Sequence, residues 1–249
     1  MRECRAALAS RGSNVVREAV AAGGEPEDWR HYPDGEVYDP TTHAQYFYHR
    51  HPATERAAGE HGHFHLFLRA EAIPADITPL LLPEIAVANA APPPQAAPLQ
   101  RGRSDEVCHL AAIAVDARGE PLRLFTTNRW VTGETWYRAE DMVRLLDRFA
   151  IVTDEPSPLL NRWIGAMVGL FRPQLVELLH ARDQAVMAWR RRRRVHVFED
   201  PRLEITSSRG IDLESHLAAV EAAADLSDDR LSSRRPPPRL PRMAEGWID

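Results

Sequence analysis

The chain changes its hydrophobic rhythm about halfway along. In its first half the period is two. GHFHLFLR alternates histidine with aromatic and aliphatic side chains and predicts a strand from Gly62 to Arg69. QYFYHRH before it predicts a second extended segment, preceded by turns at Pro33, Gly35 and Pro40. VCHLAAIAVD, ARGEP and LRLFTTN read as a hairpin. If Val115 pairs with Leu122, then Ile113 faces Leu124, Ala111 faces Thr126 and His109 faces Asn128, beside the loop RWVTGET.

From Met142 the period lengthens to that of a helix, with Met142, Leu145, Leu146 and Phe149 on one side. Ser157-Pro158 supplies a cap and a first-turn proline for a helix with a stripe of Leu160, Trp163, Ile164, Met167, Leu170 and Phe171. Pro173 opens another, which carries Leu175, Leu178, Leu179, Val186 and Trp189 and ends in Arg190 to Arg194. A short strand pair at VHVFED and LEITSS and a helix from Asp212 to about Ala224 follow. Near the N-terminus, Ser13 caps a short helix bearing Val15, Val16, Ala19 and Val20, stopped by Gly23 and Gly24.

This order predicts an α+β fold, a small antiparallel sheet from the first half packed against helices from the second, with residues 160–171 as the cover. One domain is expected over residues 1–226, with the proline-rich stretch at about 87–104 as an exposed connection. Residues 227–249, rich in proline and arginine and poor in core formers, read as a disordered tail.

Composition narrows the function more by exclusion than by assignment. A net charge of −5 argues against a nucleic-acid partner, although all 31 basic residues are arginine. The run Arg190 to Arg194 reads first as a solvated helix end that complements the dipole. Cys4 and Cys108 are too few for a disulfide framework or a thiolate zinc site, and Cys108 and His109, as strand neighbours, point to opposite faces. No apolar run has the length of a membrane span or signal peptide, so no membrane partner and a cytoplasmic location are expected. Phosphate loops, dinucleotide fingerprints, nucleophile elbows and metalloprotease helices are absent.

The histidines carry the chemistry. Six of the eleven, His43, His49, His51, His61, His63 and His65, fall within 23 residues. Alternate strand positions project to one face about 6.6 Å apart, so two imidazoles can meet on one ion, whereas three in a row span about 13 Å. The expectation is two ligands from this strand, His63 and His65 first, completed from His49, His51, His61 and His109, with a bulge at Gly62 as the alternative. Such a nitrogen set suits a divalent transition metal, with zinc, iron or copper foremost, and an open position could activate water or oxygen for a small-molecule substrate. Glu60 and Glu134 are the candidate general bases. Asp34, Glu36 and Asp39 could add oxygen donors, though their spacing is also that of an ordinary turn. Structural or proton-handling histidines remain the plain alternative.

The run His61-Gly62-His63-Phe64-His65-Leu66-Phe67 resembles the signature of histidine triad nucleotide hydrolases and transferases. That resemblance implies His63 as a nucleophile toward phosphorus, supported by His61 and His65. The match covers seven residues, with Gly62 where an apolar residue is usual. More widely, RHYPDGEVYDPTTHAQYFYHRHP, EHGHFHLFLR, CHLAAIAVD and LFTTNRWVTGE resemble a bacterial family defined only as a domain of unknown function, over residues 25 to 225, and imply no activity. A non-catalytic interaction module, acting through the tail or the arginine run, is the third class.

Overall fold

A computed structural model describes residues 1–21, 24–82 and 106–232, with side chains to 225. Six strands form one antiparallel sheet in sequence order: β1 (Tyr32–Tyr38), β2 (Ala44–His49), β3 (Gly62–Arg69), β4 (Val107–Val115), β5 (Pro121–Thr127) and β6 (Ile205–Gly210). The helices are α1 (Arg2–Ser10), α2 (Val15–Val20), α3 (Arg129–Thr132), α4 (Ala139–Leu146), α5 (Pro158–Leu170), α6 (Arg172–Arg193) and α7 (Leu213–Ser232). The fold is α+β, as the change of period predicts. Residues 1–211 form one compact unit, and α7, which runs on past Ala224, belongs to a second. The connection at 87–104 and residues 233–249 lie outside the described residues. Among those described, no helix is long and apolar enough to cross a membrane.

Strands β2 and β3 are buried on both faces. Tyr46, Tyr48, Phe64 and Leu66 make one face, and α5 covers it: Trp163 packs on Phe64 with ring centroids 5.7 Å apart, and the Tyr46 hydroxyl donates to Asn161 Oδ1. Burying these aromatic faces contributes on the order of 2–3 kcal/mol per large ring. Ser157 caps α5 as expected, its Oγ accepting from Leu160 N–H. The N-terminal helices join this layer, with α1 tied to α5 by the Cys4 thiol, which donates to the Leu159 carbonyl. Cover therefore comes from both ends of the chain. The cap of α2 is Asn14, whose Oδ1 accepts from Val16 and Arg17 N–H, while Ser13 Oγ instead donates to Glu18.

The opposite face carries Phe47, His49, His63, His65, Phe67 and His109, and between β3 and β5 it is floored by Ala112 and Ala114. Those alanines leave the room in which the His63 and Phe125 rings meet, 5.2 Å apart. Ile113 pairs with Leu124 as expected, but a bulge shifts Val115 onto Pro121 instead of Leu122. His109 meets Thr127 and not Asn128, whose side chain caps α3 and donates to Val197 O.

VHVFED is not a strand. Val197 and Phe198 are both buried. They sit instead on a 3-10 turn, where Phe198 packs on Trp136 at 4.8 Å, and β6 pairs with β5.

Candidate metal centre

Strand pairing sets His49 directly opposite His63, and alternation brings His65 to the same side. Ring centroids are 4.5 Å apart for His49 and His63, 4.9 Å for His63 and His65, and 5.1 Å for His49 and His65. One nitrogen from each of these buried rings lies within 4.8 Å of the other two. Two of these candidate donors thus come from one strand and the third from its neighbour, which avoids the excessive span of three in a row.

The rings are oriented from behind. Glu60 Oε1 lies 2.7 Å from His63 Nδ1, and a carboxylate only accepts, so Nδ1 carries a proton, and in the neutral ring the Nε2 lone pair points toward His49. Arg123 holds the other oxygen, with Nη2 donating to Glu60 Oε2 at 2.8 Å, and its guanidinium lies 4.3 Å from the Phe125 ring centre. Burial raises the Glu60 pKa, but hydrogen bonds from His63 and Arg123 outweigh it and hold the carboxyl below its usual range. On the far side, His65 Nδ1 is 2.9 Å from His109 Nε2, and His109 Nδ1 is 3.2 Å from Thr127 Oγ1. When His65 donates along this chain, its Nε2 is free to ligate.

His49 is the least satisfied member. Its Nε2 lies 2.7 Å from His63 Nε2, a hydrogen bond when His49 carries that proton. Its Nδ1 is then a buried lone pair without a hydrogen-bond partner. Nitrogens around a tetrahedral ion with bonds of about 2.0–2.1 Å stand roughly 3.3 Å apart. A shift of about half an ångström, within reach of χ rotation, would admit a cation between His49 and His63.

Electrostatics favour the ligating form. Burial, reinforced by the neighbouring imidazoles, pushes the His49 pKa down to about 2 and that of His65 well below its ordinary value. Burial likewise lowers His109 to about 3. These rings are neutral at pH 7, with lone pairs available to a metal.

The remaining sequence candidates take other places. His51, beyond the end of β2, packs on Trp29 at 4.1 Å and lies 5.0 and 5.1 Å from the His49 and His63 ring centres, half-buried at the edge of the triad. His61 leaves the cluster: alternation breaks at Gly62, and His61 Nδ1 bonds Tyr48 Oη at 2.6 Å on the α5-covered face. A Cβ on Gly62 would stand 2.4 Å from that hydroxyl and 2.5 Å from His49 O, so the close passage of the chains requires glycine. His43 sits in the β1–β2 turn against Tyr38. Asp34 pairs with Arg30, Glu36 with His31, and Asp39 accepts backbone N–H groups from both its own turn and Thr153, so none of the three turns toward the triad. Glu134 accepts the His109 N–H at 3.0 Å, and burial raises its pKa to about 8. Its place is behind His109, as a neutral acid.

A cavity of about 570 Å³ opens over the triad, walled by Trp29, His51, Arg56, Phe125, Trp130 and Ile205. Arg123, Trp29 and Phe125 are absent from the sequence candidates. The signal for Arg123 was a lone cation two positions before Phe125 on a strand, which puts both on one face. Trp29 belongs to no periodic segment and offered no such signal.

A family model described as a domain of unknown function, DUF6969, matches residues 1–211. No curated protein and no solved structure matches the chain.

Proposed function

The chain belongs to the DUF6969 family, and from the geometry of its site we propose that it holds a divalent transition metal on His49, His63 and His65, with zinc, iron or copper the leading candidates. The observation that carries this reading is the convergence of three buried imidazole nitrogens within 4.8 Å, two of the rings oriented by Glu60 and His109. Structural zinc sites close with four protein ligands, whereas catalytic sites keep three and leave a position open. Three converging imidazoles with a cavity opening over them match the second pattern. The protein reads as a metal-dependent enzyme acting on a small molecule. When bound, the metal supplies Lewis acidity to whatever ligand fills that position. Glu60 has both oxygens engaged, so it positions His63 and does not serve as a base.

Untagged protein should retain close to one equivalent of metal by elemental analysis. His63→Ala and His65→Ala should abolish retention without unfolding the chain. Wild-type protein that takes up no zinc, iron, copper, nickel or manganese would end the proposal.

Phosphoryl chemistry through His63 without metal has one observation in its favour, the Glu60 carboxylate on Nδ1. It lacks the shared face of His61, His63 and His65 that the motif resemblance implies. Release of mononucleotide from dinucleoside polyphosphates by metal-free protein, lost in His63→Ala, would favour it over the metal reading.

A further inference from the structure

The cavity has walls as well as a floor, and the walls point to a class of substrate. Trp29, Trp130 and Ile205 are 53%, 36% and 40% exposed, conspicuous for such large apolar groups, and all three line this one cavity. They rise from opposite sides. Trp29 stands beside His49 and His51 at the β1–β2 side, its backbone N–H donating to Arg50 O and its backbone at φ +68, a conformation that bulky residues rarely hold. Trp130 stands beside β5 and β6, its indole N–H fixed to Leu203 O at 2.9 Å. Strands β2 and β5 are three strand spacings apart, about 14 Å, so the indoles flank the gap without filling it. Phe125 lies between them beside His63 and His65.

Charge selects within that shape. Imidazoles that bind through a lone pair bring no charge, so three of them leave the double charge of the ion uncompensated, because Glu60, the buried carboxylate beside them, is paired with Arg123. In the wall, Arg56 donates from Nη1 to His61 O and forms no ion pair among the described residues. Glu55 and Glu204 also line the cavity, but both are exposed to water, where their field is screened. A negatively charged oxygen on the ligand satisfies the ion, and a flat ring satisfies the indoles.

We propose, resting on the metal-centre reading, that the substrate is a small aromatic oxyanion, a carboxylate or phenolate on a planar ring, with its oxygen on the open side of the metal and its ring between Trp29 and Trp130 against Phe125. The test uses the full-length protein loaded with cobalt(II), whose visible bands report on ligands at the metal, while indole fluorescence reports on the walls. Benzoate or catechol should shift the bands and quench the fluorescence together. Acetate should bind at least tenfold more weakly than benzoate, and uncharged benzamide should leave the bands unchanged. Trp29→Ala and Trp130→Ala should each weaken benzoate by about three- to tenfold with cobalt content unchanged. Equal affinity for acetate and benzoate in the wild type, a comparison that needs no variant, would overturn the inference. So would tryptophan variants that bind benzoate normally, or that change only the oligomeric state. A protein that takes up no cobalt shows no bands before any ligand is added, and that failure belongs to the metal centre itself.

Discussion

Replacing Glu60 separates its two roles. Glu60 is buried, accepts a hydrogen bond from His63 Nδ1 at 2.7 Å and pairs with Arg123 at 2.8 Å. Glu60→Gln keeps an amide oxygen for His63 but removes the charge that Arg123 faces. Glu60→Ala removes both and frees the His63 ring to rotate. Loss of such an orienting partner typically lowers metal affinity by about 10- to 100-fold, or roughly 1.4–2.7 kcal/mol. The alanine variant should therefore weaken metal binding by that factor, and the glutamine variant by less than about tenfold. Folding stability should behave differently. Both variants strand Arg123, which is mostly buried and retains only Phe125 and a long contact to Ser208, so both should lose on the order of 1–3 kcal/mol. Competition against a chelator of known affinity measures the first quantity, and urea unfolding of the metal-free protein the second. An alanine variant that binds metal as tightly as the wild type would refute the reasoning, because His63 would then need no partner to present its nitrogen.

Other expectations follow from the same contacts. His61→Ala should cost about 1 kcal/mol through the lost Tyr48 bond and leave metal content unchanged in elemental analysis; loss of metal would place His61 in the centre. Gly62→Ala should destabilise by about 1–3 kcal/mol in urea unfolding and loosen the metal as well, because its new methyl collides with Tyr48 Oη and His49 O; unchanged stability would contradict the close passage. Stability should peak near pH 6.5. His49, His65 and His109 have folded pKa values below the unfolded value of 6.5, so below that pH the unfolded chain binds more protons and stability falls, by up to about 1.4 kcal/mol per pH unit for each ring. Glu134 has the opposite sign: its folded pKa of about 8 exceeds the unfolded 4.5, so its contribution is lost as pH rises between them; unfolding curves of the wild type should therefore show a decline above pH 6.5, and Glu134→Gln should flatten it.

Much of the sheet was legible because side-chain alternation is a backbone property. GHFHLFLR gave the bounds of β3, and the pairing of Ile113 with Leu124 followed from hairpin length. The meeting of His63 with His65 was readable from spacing, and His49 from the repeated His-x-His. Two bulges and one glycine limited the rest. The shift at Val115 moved only the turn end of the hairpin, the bulge between Leu66 and Phe67 skips Leu110 and so turns His109 to the face of Ala112 and Ala114, where it meets Thr127, and the passage at Gly62 turned His61 to the other face, none of which an ideal strand would do. Glu134 carries the residue type of a base, but only the fold revealed that it is buried behind His109. The Arg123 partnership with Glu60 spans 63 positions, a separation that no local pattern encodes.

The central claim is tested most directly by X-ray absorption at the zinc edge on protein loaded with one equivalent of zinc. The account predicts three imidazole nitrogens at about 2.0–2.1 Å and one further light ligand, falling to two imidazoles or to unbound zinc in His49→Ala. A spectrum with fewer than three imidazoles in the wild type, or one unaltered by His49→Ala, would contradict it.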